Sequence, residues 1–176
     1  MTSVVVDGLT FTFPNTWETA KCDDWVFYRR QFQRVRDGIK AVDLLALSPG
    51  SREQDQPRIL WLIEVKDYRR HFRTKTVSLD EEMAEKVLGT LASLLPAKLA
   101  ASVPEESRLA GRALNAQKIR VVLHLEQPQA VLPFYPRNRL INEANVLQNL
   151  RKRVKAIDPH PEVVNMRHTH LPWTVT

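Results

Sequence analysis

The chain has 176 residues, 43% of them hydrophobic and only 5 of them glycine, which excludes a disordered or collagen-like polypeptide and suits one domain with a sizeable core. Its net charge of +6 and its isoelectric point near 9.7 are compatible with a polyanionic partner but do not by themselves establish one. Cys22 is the single cysteine, so an internal disulfide and a cysteine-based zinc site are both excluded.

The opening segment, Met1 to Asp7, lacks the basic start and long apolar core of a secretory signal. No run approaches the roughly 20 apolar residues of a membrane span, so the expected compartment is the cytoplasm, without a membrane partner. Val4 to Phe13 reads as a hairpin around Asp7-Gly8, a dipeptide suited to tight turns. A short strand over Trp17 to Lys21 follows. Asp23 or Asp24 can then cap a helix in which Trp25, Tyr28, Phe32 and Val35 recur at helical spacing. An alternative makes Phe32 to Val35 a strand turning at Asp37-Gly38. Both stand at this level.

Ile39–Leu47 and Ile59–Lys66 read as strands, each short and apolar, separated by the turn-forming Ser48-Pro49-Gly50-Ser51. Their nearly continuous apolar character predicts central strands covered on both faces. A basic loop runs from Tyr68 to Lys75. Ser78 to Leu95 reads as a helix with Asp80, Glu81 and Glu82 in its first turn and a stripe of Met83, Val87, Leu88, Leu91, Leu94 and Leu95. Pro96 is expected to kink or end it. A helix over Pro104–Ala116, a strand over Lys118–Leu125, a basic helix over Glu143–Ala156 and a strand near Val163–Met166 complete the order. The expected class is α/β, a mixed central sheet flanked by helices. One domain spans 1–176, with its core at about 17–126 and the C-terminal helix and strand of 138–176 packed on it.

Chemistry concentrates in Asp43 and in Glu64-Val65-Lys66, each group within or at the end of an apolar run. Side chains two apart on a strand share a face, so Glu64 and Lys66 project together. Hard oxygen ligands suit Mg²⁺ or Mn²⁺: Asp43 and Glu64 supply carboxylates and the Val65 carbonyl a third oxygen. Lys66 can orient or deprotonate a water, or offset charge on a phosphorane. The competing reading is a Glu64–Lys66 ion pair of modest value. Against it, both acids are embedded in apolar runs, where an unpaired carboxylate is costly and a metal offsets the cost.

This pattern resembles the PD-(D/E)XK nuclease superfamily over roughly Asp23 to Leu125, with Asp43, Glu64 and Lys66 at its motif positions. The segment Ile63-Glu64-Val65-Lys66-Asp67-Tyr68-Arg69 is similar to that of small nuclease-like proteins in the superfamily. Val42 stands where many members carry proline. The resemblance implies a restriction-endonuclease-like fold and a Mg²⁺- or Mn²⁺-dependent nuclease. DNA is favoured over RNA as substrate, and a homodimer or a protein partner would supply specificity. It also implies an additional acid from the first helix, for which Glu18, Asp23 and Asp24 are candidates. The alternative is a catalytically silent module of the same fold that binds nucleic acid or a protein.

Tyr68, Arg69, Arg70, Arg73 and Lys75, directly after the site, are candidates to hold a nucleic-acid backbone, with Tyr68 or Phe72 stacking on a base. A second basic cluster comprises Arg137, Arg139, Arg151, Lys152, Arg153 and Lys155. Lys21 reads as a surface lysine near the acidic pair, and His124 as a core histidine. Trp173 is expected to pack the C-terminal segment on the domain.

Overall fold

The computed structural model describes residues 1–51, 55–128 and 139–176; Arg137 of the second basic cluster lies outside them. The described residues form a mixed α/β fold with two sheets and four α-helices. No helix among them is long and apolar enough to cross a membrane.

The N-terminal hairpin forms as expected, from β1 (Thr2–Val6) and β2 (Leu9–Phe13), with Val6 opposite Leu9. Asp7 and Gly8 both take positive φ, 49° and 79°. That is the requirement of a two-residue turn whose twist matches the strands. A short β8 (Thr174–Val175) adds to β2, a pairing with no distinct sequence signal. The larger sheet runs β3-β4-β5-β6-β7. Its strands are β3 (Glu18–Ala20), β4 (Leu44–Leu47), β5 (Ile59–Asp67), β6 (Lys118–Glu126) and β7 (Glu162–Val164). The first three pair antiparallel, whereas β5, β6 and β7 are parallel.

The period-two alternation of β5 divides the interior. Leu60 and Leu62 face the helices and meet Met83, Val87 and Leu94 of α2 (Leu79–Ala100). Trp61, Ile63 and Val65 face the hairpin and pack with Phe11, Phe13 and Trp173. The expected packing of Trp173 is therefore observed. The helix side is completed by α1 (Val26–Arg30), α3 (Pro104–Leu114) and α4 (Glu143–Val154). Asn142 caps α4 by accepting a hydrogen bond from the Asn145 amide.

Four expectations need correction. The segment from Trp25 to Val35 is neither one helix nor a helix and strand: α1 has five residues, flanked by 3-10 turns at Cys22–Asp24 and Phe32–Arg34. The buried Glu106 carboxylate of α3 caps α1, accepting from the Val26 and Phe27 amides at 2.7 and 3.1 Å. Residues Ile39 to Asp43 are not strand; β4 begins at Leu44. Of the two outcomes expected at Pro96, the helix end is overturned, because α2 runs through it to Ala100. The carbonyl that Pro96 leaves without its helical donor belongs to the exposed Ala92, where water can satisfy it. Finally, Leu88 and Leu95 of the expected stripe are 59% and 55% exposed. The covered face carries Glu82, Lys86, Thr90 and Ser93 as well as Met83 and Val87.

Candidate functional site

The site forms where the sheet loses a partner. β4 starts at Leu44, paired with Ile63, so Glu64 to Asp67 extend beyond it while remaining paired to β6. The Val65 amide, left without a strand partner, donates instead to Asp43 Oδ2 at 2.8 Å. One step earlier, the Val42 amide donates to Thr90 Oγ1 of α2 at 2.9 Å. Side-chain oxygens thus replace a strand ladder over this segment, and they place Asp43 beside Glu64. The approach is very close: a Cβ on Gly89 would lie 2.1 Å from the Lys40 carbonyl oxygen.

Glu64 and Lys66 share the helix-facing side of β5. Lys66 Nζ lies 2.6 Å from Glu64 Oε1 and 3.6 Å from Glu82 Oε1. A second lysine, Lys86 of α2, donates to the same Glu64 Oε1 at 2.5 Å and to Asp43 Oδ1 at 3.2 Å. The three expected residues therefore converge, together with one that was not expected. Lys86 had a readable signal in its spacing, because Glu82, Lys86 and Thr90 recur every four residues along the face that also carries Met83 and Val87.

Glu64 is fully enclosed, and its Oε2 has no hydrogen-bond partner. Burial, followed by the neighbouring Asp43 charge, pushes its carboxyl up to about 7; Lys86 and Lys66 pull the other way. Burial pushes the Lys66 ammonium down, but Glu64, Asp43 and Glu82 together raise it further. Glu82 is held down at about 2: burial opposes this, and hydrogen bonds from Lys75 and Arg73 overcome it.

Of the three additional acids, Asp23 shares a small groove with Lys86. Glu18 pairs with Arg112 at 2.6 Å, and Asp24 pairs with Arg29 and with Lys21, the latter at 3.5 Å. Burial raises the Asp23 carboxyl, as do the nearby Asp24 and Asp43, while Lys21 and Lys86 lower it. Its Oδ1 is buried without a hydrogen-bond partner.

The basic loop is mostly committed to internal bonds. Tyr68 is buried, and its hydroxyl accepts from Arg73 Nη1 at 3.0 Å. Arg69 makes a two-pronged bond to Asp67, at 2.9 and 2.6 Å. Arg73 and Lys75 reach Glu82 at 2.7 and 2.6 Å. Arg70 is exposed and makes no ion pair among the described residues. Phe72 lies under the Arg139 guanidinium, 5.2 Å from ring centre to Cζ. In the second cluster Arg153 pairs with Asp80 at 2.6 Å, whereas Arg151, Lys152 and Lys155 are exposed. A cleft of about 670 Å³ opens beside Lys66, between Asp7-Gly8 of the hairpin turn and residues Asp67 to His71. His124 is buried, with Nε2 2.9 Å from Glu126 Oε1.

Asp43 and Glu64 offer hard oxygens that one cationic group already bridges, and the unpartnered Glu64 Oε2 is a further free acceptor. Two carboxylates suit an ion such as Mg²⁺, which retains several waters. Among the described residues, no group of three or more His, Cys, Asp or Glu could hold a metal.

No known family profile matches the chain, and no solved structure matches it significantly. The chain is similar to part of a cysteine–tRNA ligase of Neisseria meningitidis, 27% identical over 216 aligned residues. The match covers this whole chain and spans 30% of the ligase.

Proposed function

We propose that this protein is a metal-dependent nuclease of restriction-endonuclease-like fold, hydrolysing phosphodiester bonds in nucleic acid, with DNA the favoured substrate. The observation that carries this reading is the convergence of Asp43, Glu64 and Lys66 at the edge where β4 stops. The element order also supports it: a short helix, an antiparallel pair with Asp43 just before its first strand and Glu64 on its second, a long helix, then a strand parallel to β5.

In this reading Asp43 and Glu64 would hold Mg²⁺ or Mn²⁺ through carboxylate oxygens, with the Val65 carbonyl as the third expected protein oxygen. The bound ion supplies charge neutralisation and a water made acidic by coordination. Lys66, anchored by Glu64, orients the attacking water and offsets the negative charge that builds on phosphorus. Lys66 also lines the cleft of about 670 Å³ together with Arg70 and His71, a basic lining that supports a nucleic-acid backbone as its occupant. The Asp43–Val65 hydrogen bond positions the metal-binding carboxylate on the strand that carries the other two groups. A partner or a second copy would supply specificity, and the cytoplasm is the fitting compartment.

Two observations favour second readings. Glu64 is enclosed and bound by two lysines, which suits a silent nuclease-fold module that binds nucleic acid or protein. The likeness to part of a cysteine–tRNA ligase brings transfer RNA in as a substrate.

The test is cleavage of plasmid, linear duplex and single-stranded DNA and of transfer RNA, with Mg²⁺ or Mn²⁺, by wild type, Asp43→Ala and Lys66→Ala. The nuclease reading expects divalent-dependent cleavage that both substitutions abolish. Cleavage that survives in the variants refutes the site. Binding without cleavage by the wild type establishes the silent module.

A further inference from the structure

The smaller sheet runs β1-β2-β8, so β1 is paired on one side only. Val6 stands opposite Leu9 across the two-residue turn, and the register alternates from there. Thr2, Val4 and Val6 exchange backbone bonds with β2, whereas Ser3 and Val5 turn their N–H and C=O groups to the open side. The partner strand shows the same phase. Thr10, opposite Val5, directs its amide and its carbonyl to Thr176, at 2.7 and 3.0 Å, on the far side of β2. β1 also lacks the devices that protect a sheet edge: its five residues, Thr2 to Val6, include no charge and no proline, and its register with β2 holds no bulge. The edges of the larger sheet, β3 and β7, are three residues long and carry Glu18 and Glu162. On the outer face of β1, Val5 is 58% exposed. On the inner face, Val4 is partly buried at the rim of the core that Val6, Phe11 and Phe13 make.

We propose that β1 is a dimer interface, on which a second copy of this chain adds its own β1 antiparallel about a two-fold axis at Val4. In that register Ser3 faces the partner's Val5 and Val5 the partner's Ser3, so every open N–H of these residues meets an open C=O. The two Val4 side chains oppose each other as a non-hydrogen-bonded pair, the closer of the two pair types, and carry the apolar face of Val6 and Phe11 across the axis. A second copy is the occupant because one two-fold operation satisfies the register, the hydrogen-bond phase and the apolar face together. Such a contact closes, since each β1 then has no edge left for a third copy. Asp7 and Gly8 follow β1 directly and form one wall of the cleft of about 670 Å³, so the pairing also fixes one cleft relative to the other. The interface gives the second copy of the proposed nuclease a place, and it stands whether or not the cleft binds metal or cleaves.

The experiment is sedimentation equilibrium of the full chain over a micromolar concentration series, for wild type, Ser3→Pro and Val5→Lys. Wild type should be a dimer. Ser3→Pro removes an outward N–H and no backbone bond to β2, and Val5→Lys puts two ammonium groups diagonally across the axis. Both should dissociate at least tenfold more readily while keeping the wild-type circular dichroism. Val4→Cys reads the register: the Cα atoms of such a pair lie about 4.5 Å apart, so mild oxidation should join the two chains by a disulfide. Thr2→Cys, on the same face but about 14 Å along the strands from its mate, should not cross-link. The native Cys22 is fully buried and does not compete. A wild type that stays monomeric at every concentration overturns the proposal. So does a dimer that survives Ser3→Pro and Val5→Lys or fails to cross-link in Val4→Cys, since the second copy then sits elsewhere. Should Ser3→Pro fail to fold, Val5→Lys and the cross-link decide. None of these results bears on cleavage, which is measured separately and can fail while the dimer stands.

Discussion

Thr90→Val tests whether a single side-chain hydroxyl seats the segment that delivers Asp43. Thr90 is fully buried; its Oγ1 accepts from the Val42 amide at 2.9 Å and donates to the Lys86 carbonyl at 2.8 Å. Valine preserves the shape but leaves the Val42 amide buried with no acceptor, because β4 begins only at Leu44. A buried unsatisfied N–H costs about 1–3 kcal/mol. The added apolar methyl returns roughly 0.8 kcal/mol. The net loss is about 0.2–2 kcal/mol, which for a chain of this size lowers the melting temperature by up to roughly 8 °C. Thermal melts and amide hydrogen exchange provide the assay. The Val42 amide should lose protection in Thr90→Val and keep it in Thr90→Ser, which retains the hydroxyl. A Thr90→Val protein that melts with wild type, its Val42 amide still protected, refutes the reasoning.

Gly89→Ala should destabilise by about 1–2 kcal/mol despite the better helix propensity of alanine, because its Cβ meets the Lys40 carbonyl oxygen at 2.1 Å. Gly111→Ala should instead stabilise by up to about 1 kcal/mol, since its Cβ makes ordinary contact with Lys98 at 3.6 Å; urea titrations separate the two, and equal effects would refute the close-approach argument. The Glu64 carboxyl, raised from 4.5 to about 7, contributes stability that is complete below pH 4.5 and lost as pH rises through 7. In chelator, wild type should therefore lose about 3 kcal/mol relative to Glu64→Gln between pH 4.5 and 8, and parallel stability curves would contradict this. Arg70→Ala should weaken nucleic-acid binding and reduce the salt dependence by about one phosphate contact, whereas Arg69→Ala, already paired to Asp67, should do less; fluorescence anisotropy across a salt series decides.

Much of the architecture was legible because local rules and tertiary demands agree. Asp7-Gly8 determines the hairpin, alternation determines β5, and the Ser78 boundary with three early acids determines where α2 begins. Reading failed where side chains substitute for backbone partners. Ile39 to Val42 are as apolar as a strand, yet they are held by Thr90 and by the close approach over Gly89. The aromatic run from Trp25 to Phe32 is helical only in part, and its short α1 depends on Glu106, some 80 residues away in sequence. Leu88 and Leu95 fit a helical stripe by spacing, but the sheet covers the neighbouring face, where Glu82, Lys86 and Thr90 lie.

By itself the sequence determined which groups the site contains on β5: Glu64 and Lys66 must share a face because the strand period is two. It also determined that Asp43 is an acid surrounded by apolar neighbours. Only the tertiary structure decided that Asp23 shares a groove with Lys86 while Glu18 and Asp24 pair elsewhere, and that Lys86 bridges the two carboxylates. The reason is the range of the forces. Periodicity and capping act within a few residues and can be read along the chain. A buried charge is satisfied by whatever group packing brings within about 3 Å, and that is set by how α2 lies across the sheet.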